Sequence, residues 1–183
     1  MLQAALGFRA HSGWAALVAV AGSPHAIEVI ERRIITVIDP AAAGARQPYH
    51  YVEHRDVRAA EEHLAKCAAV ADRLAAEGLR GAVAGLTRRG HRVAGAALLL
   101  ASGRPLPSLD RILASHALIH TAEGEFFRDV FRRACEHLRI PLAAIRERDL
   151  VPAEGLRRPP DPPWAQDQKL AAFAACRILA PDV

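Results

Sequence analysis

The stretch Gly7-Phe8-Arg9-Ala10-His11-Ser12-Gly13-Trp14-Ala15-Ala16-Leu17-Val18-Ala19-Val20 decides how the rest of the chain is read. A polar knot, Arg9 to Gly13, opens into an almost unbroken apolar run. A run without polar alternation reads as a strand covered on both faces. Its two glycines let the backbone turn tightly or approach another segment closely. Gly22-Ser23-Pro24 then supplies a turn. Ile27 to Ile38, rich in β-branched residues, supplies a second strand and closes an antiparallel hairpin. Glu28 and Glu31-Arg32-Arg33 give that strand a wetter face, and Asp39-Pro40 ends it, because proline has no N–H for a ladder.

Working outward, Ala41 to Glu53 reads as a loop or a short edge strand, with Tyr49-His50-Tyr51 as its distinctive content. From about Asp56 the apolar residues Val57, Ala60, Leu64, Cys67, Ala71 and Leu74 recur at helical spacing, and the helix is expected to reach Arg89 and stop at Gly90. Val93 to Ala101, bounded by Gly90 and Ser102-Gly103, reads as a buried strand. Ser108 suits an N-cap. A helical stretch in two parts follows, from Leu109 to about Ala117 and again from near Thr121, its inner side marked by Ala122, Phe126, Val130, Ala134 and Leu138. Leu142 to Arg146 is a short strand, and Val151 to Pro163 a surface excursion with too little chain after it to build a second domain. Asp161 and Pro162 suit the start of a last helix. The expected fold is α/β in one domain over 1–183: a mixed sheet that opens with an antiparallel hairpin and continues with alternating helices and parallel strands. Ligands of such sheets sit beyond the carboxyl ends of the strands.

At 183 residues the chain can bury a sizeable core. The formal charge of +4 suits anionic partners, but the arginines are scattered and no basic tail is present. Aromatic residues, at 5%, are too few for a base-stacking platform. Cys67, Cys135 and Cys176 form no CxxC pair and sit among apolar neighbours, which points to reduced thiols and a cytoplasmic setting. The first residues lack the pattern of a signal peptide, and no run of about 18 apolar residues suggests a membrane span.

The order of elements resembles the ribonuclease H-like superfamily, which includes Holliday-junction resolvases and actin-like ATPases. The residues that carry the resemblance are Gly7 to Val20 as its first strand, Val93 to Leu100 as its fourth, and Asp167-Gln168-Lys169-Leu170-Ala171-Ala172 in its last helix. Gly7-Phe8-Arg9 followed by Ser12-Gly13-Trp14-Ala15, and His120 followed by Glu123-Gly124 and Arg128, also resemble a group of uncharacterised bacterial proteins of similar length. Active nucleases of the superfamily place an acid on the first strand to hold a divalent metal. Here no Asp or Glu precedes Glu28, none lies between Val93 and Ala101, and Asp167 alone matches an acidic position. Chemistry with two metal ions needs several carboxylates, so the ordinary nuclease mechanism is not expected.

Several groupings remain as sites. Arg9, His11, Ser12 and Gly13 combine backbone N–H groups, a hydroxyl and basic side chains suited to a phosphate or carboxylate. His116 and His120 lie four apart on a helix with Glu123 three further on, a spacing that offers a divalent metal imidazole and carboxylate ligands. Glu123 and Arg128 also suit a simple ion pair. Tyr49-His50-Tyr51 places an acid–base group beside amphipathic rings. Asp167 and Lys169 join a site only if the last helix faces the first-strand turn. The leading expectation is a domain that binds an anion (nucleotide, nucleic acid or phosphorylated small molecule) through Arg9, His11, Ser12, Gly13, His50, His120, Glu123, Arg128, Asp167 and Lys169, with no cofactor. The alternatives are a metal-dependent hydrolase or nuclease using His116, His120, Glu123 and Asp167, and an oligomeric scaffold built on the alanine- and glycine-rich helix.

Overall fold

The computed structural model describes residues 1–23, 25–101 and 105–180. Pro24 of the expected turn, and Ser102-Gly103 at the end of the expected strand, lie outside the described residues. The opening stretch is two strands rather than one. β1 (Leu2–His11) and β2 (Trp14–Ser23) pair antiparallel through Ser12-Gly13, with His11 opposite Trp14. Gly13 makes this turn possible, because its φ of 89° is a conformation that residues with a Cβ avoid. The hairpin is invisible to a polarity pattern because both strands are buried on both faces, so no alternation separates them.

β3 (Ala26–Thr36) pairs antiparallel with β2. β4 (His91–Leu100) lies parallel to β1, and β5 (Leu142–Arg146) parallel to β4. The two-residue β6 (Leu156–Arg157), within the expected surface excursion, pairs parallel with β3. The order across the sheet is β5-β4-β1-β2-β3-β6, so β1 is central and β2 runs against its neighbours. This is the mixed α/β sheet expected from the sequence, with one strand more in its antiparallel part.

Helices cover both faces. α1 (Pro48–Val52) and the long α2 (Val57–Arg88) follow β3; α3 (Leu109–Leu113) and α4 (His116–His137) follow β4; α5 (Gln166–Leu179) ends the described chain. The even residues of β1, Leu6 and Phe8, pack with Leu79 and Leu86 of α2 and with Phe127 and Phe131 of α4. Phe8 and Phe131 meet with ring centroids 5.4 Å apart. On the other face Ala5, Val18 and Val20 pack under Ala171, Ala172 and Ala175 of α5. Alternation along β1 therefore turns Gly7, Arg9 and His11 toward α5. The approach at Gly7 is so close that a Cβ there would lie 1.8 Å from the Ala171 carbonyl oxygen.

Three local expectations are corrected. Ala41 to Glu53 contains a helical turn, α1, not an edge strand; Pro48 takes its first position, where no N–H is needed. The break in the later helical stretch falls at Ala114-Ser115, so His116 and His120 share one continuous helix. The last helix starts at Gln166, not at Pro162. The carbonyls of Asp161 and Pro163 instead accept hydrogen bonds from Arg32 Nη1 at 2.6 and 2.7 Å, which ties that segment to β3. Ala165 N–H donates to the Gln168 side chain at the true helix start.

Candidate functional site

The carboxyl ends of β1, β4 and β5 open on the end of the sheet where α5 begins, and four side chains meet there. Arg9 and His11 come from β1, Glu147 follows β5, and Asp167 sits in the first turn of α5. Arg9 donates from Nε and Nη2 to both oxygens of Glu147, at 3.2 and 3.1 Å. Its Nη1 donates to Asp167 Oδ1. His11 Nε2 shares the same oxygen at 2.9 Å, and the His11 ring stacks on Trp14 at 4.3 Å. The contact between Gly7 and Ala171 explains this convergence. Four residues before Ala171, the α5 backbone is already over the end of β1.

Each charge is set by the others. Burial pulls the Arg9 pKa down, but the hydrogen bonds it donates to Glu147 and Asp167 outweigh it and hold the guanidinium above its usual value. Burial likewise pushes the Asp167 carboxyl up, and the bonds from Arg9 and His11 reverse the sign, leaving it below the ordinary aspartate range. A carboxyl depressed on folding stabilises the native state above its unfolded pKa, and that contribution is lost as pH falls through the folded value.

This geometry also tests the metal centre that the resemblance implies. Two divalent ions would need several free carboxylates at the strand ends. The central strand presents Arg9 instead of an acid, and its guanidinium engages both carboxylates gathered there. The residues do not fit two metal ions. Ser12 and Gly13 face elsewhere. With Trp14, Thr36 and Arg46 they line a separate hollow of about 300 Å³ between the β1–β2 turn and the end of β3. Lys169 is exposed on α5 and has no ion pair among the described residues.

A second group assembles on the opposite face. His50 of α1 meets His116 and His120 of α4, and one ligand-capable nitrogen from each lies within 4.8 Å of the others. Glu123, 4% exposed, stands behind them. Its carboxylate accepts from His50 Nδ1 at 2.7 Å and from the backbone N–H groups of His50 and Tyr49 at 3.3 and 3.5 Å. Those amides belong to the first turn of α1 and have no partner inside the helix, so Glu123 fixes both the helix and the His50 ring. Burial raises the Glu123 pKa, and the bonds from His50 and Tyr49 offset only part of that rise.

The expected constellations are therefore redistributed. Arg9, His11 and Asp167 meet, joined by Glu147; the only sequence signal for Glu147 is an acid directly after a strand end. His50 joins His116 and His120, whereas Asp167 lies on α5 across the sheet and is no part of that group. Glu123 turns to His50, and Arg128 pairs with Glu125 at 2.9 Å rather than with Glu123. Cys135 and Cys176 are buried, which pushes both thiols up to about 12, so neither is a ready thiolate.

No family model and no curated protein matches the chain. Among solved structures it is similar to RuvC of T. thermophilus in complex with Holliday junction substrate, at 11% identity and a TM-score of 0.49 over 95% of this chain and 90% of that one. A further Thermus thermophilus RuvC structure matches at 11% identity and a TM-score of 0.47, over 94% of this chain and 91% of that one. With β1 central, β2 alone reversed among the five main strands, and helices on both faces, the fold is ribonuclease H-like.

Proposed function

We propose that this chain is a ribonuclease H-like binding domain that does not cut nucleic acid by a two-metal mechanism, and that its ligand is a phosphate-bearing anion. The observation that carries the first part is Arg9, which satisfies both Glu147 and Asp167. A divalent ion would have to displace a guanidinium already bonded to both acids. The same neutralisation takes Arg9 out of direct anion recognition. The hollow beside it supports that role better. Arg46 is exposed there and has no ion pair among the described residues, Ser12 offers a hydroxyl, and Trp14 offers an aromatic wall. A phosphate attached to a flat ring, as in a nucleotide or a short oligonucleotide, matches one cation beside one aromatic side chain, a single contact and not a stacking platform.

Fluorescence anisotropy with labelled single- and double-stranded oligonucleotides, and calorimetry with nucleotides, test this reading. We expect binding that weakens with salt. Arg46→Glu should weaken it about tenfold, the loss of roughly one charge-assisted contact. No cleavage should follow addition of Mg²⁺ or Mn²⁺. Metal-dependent cleavage that disappears in Asp167→Asn contradicts the first part. Binding indifferent to Arg46→Glu contradicts the second.

A further inference from the structure

We propose that His50, His116 and His120 form a binding site for one divalent transition-metal ion of the zinc class, with Glu123 as the residue that positions His50. The site is distinct from the mouth at Arg9 and lies apart from the hollow proposed for the anion.

Three features support it. The first is spacing. His116 Nε2 and His120 Nε2 are 3.1 Å apart. Two metal–nitrogen bonds of about 2.0–2.1 Å at a tetrahedral angle set their donors roughly 3.3 Å apart. The pair is close to ligating distance before any ion binds. The third ring completes a triangle: the His50 centroid lies 4.6 Å from that of His120 and 5.6 Å from that of His116.

The second feature is the carboxylate behind the ring. His50 Nδ1 donates to Glu123, which leaves Nε2 with the free lone pair a metal needs. Glu123 is held by two backbone amides as well, so the ring is fixed in orientation and tautomer. Glu53 stands 3.7 Å from His116 Nδ1, a second carboxylate on the side away from His120. A carboxylate on the non-ligating nitrogen is the usual support of a metal-bound imidazole.

The third feature is access. His116 and His120 are exposed, His50 is half-buried and Glu123 behind it is buried, so the cluster is anchored on one side and open on the other. Three protein ligands facing solvent leave a coordination position for water or an anionic ligand. Three neutral nitrogen donors suit zinc, cobalt, nickel or copper, whereas magnesium and calcium prefer oxygen.

The test uses the full chain, freed of metal by a chelator and dialysed. Calorimetry with Zn²⁺, and the visible absorption of added Co²⁺, should show one ion per chain. His116→Ala and His120→Ala alter exposed side chains and leave the core intact; each should weaken Zn²⁺ binding at least 100-fold and abolish the cobalt band. Glu123→Gln should weaken it by about 10–100-fold, as the loss of such a supporting carboxylate does. Cys67→Ala should change nothing, which separates the site from the nearby His63–Cys67 contact at 3.4 Å. Absence of saturable Zn²⁺ or Co²⁺ binding at micromolar concentrations overturns the proposal. So does binding that survives His116→Ala and His120→Ala together, or that prefers Mg²⁺ to Zn²⁺.

Discussion

Gly7→Ala is expected to cost about 3 kcal/mol, the upper part of the range for adding atoms to a filled core, and to be the most damaging small substitution in β1. The added Cβ would sit 1.8 Å from the Ala171 carbonyl oxygen and 3.1 Å from the Ala175 nitrogen. Both are backbone atoms of α5, so no side chain can rotate away. The helix itself must move, and it is packed through Ala171, Ala172 and Ala175 against Ala5, Val18 and Val20. Urea denaturation reads the stability loss directly. A change below about 0.5 kcal/mol would show that α5 yields without strain, and the tight crossing that brings Asp167 over Arg9 would then need another cause.

Glu123→Ala should cost about 2–3 kcal/mol in the metal-free protein. It removes the acceptor of three part-buried N–H donors, and a covered donor left unpaired costs about 1–3 kcal/mol. The donors are His50 Nδ1 and the first-turn amides of Tyr49 and His50. A helix of only five residues has few other restraints, so α1 should loosen. Hydrogen exchange at Tyr49 and His50 should then rise well above the parent's, while the core strands stay protected. Unchanged exchange at those two amides would mean that α1 is held by its packing alone.

How far the sequence discloses this arrangement depends on the range of each interaction. β-branched and apolar runs, the helical stripe over Val57 to Leu74, and Gly90 as a stop are local signals, and each marks a real element. The β1–β2 hairpin escapes because Ser12-Gly13 interrupts two strands whose residues are apolar on both faces. α1 escapes because five residues carry no periodicity, and the carboxylate that accepts from its first-turn amides, Glu123, lies more than 70 residues away. The pairing of Arg9 with Asp167 spans 158 positions. Both residues stand out by type in the sequence, but only the close passage of α5 over Gly7 brings them together. The helical spacing of His116 and His120 was legible; the third imidazole, His50, comes from a separate element and needs the fold.

The misfit with two metal ions depends on Arg9 holding the acids at the end of β1. The most direct measurement is the titration of the Asp167 carboxyl carbon by ¹³C NMR in the parent and in Arg9→Ala. We expect a midpoint below the ordinary aspartate value of about 3.9 in the parent, because Arg9 and His11 favour the charged form. The midpoint should rise when Arg9 is removed. A parent midpoint at or above the ordinary value, unmoved by Arg9→Ala, would contradict this: Asp167 would then be free of the guanidinium and available to a metal ion.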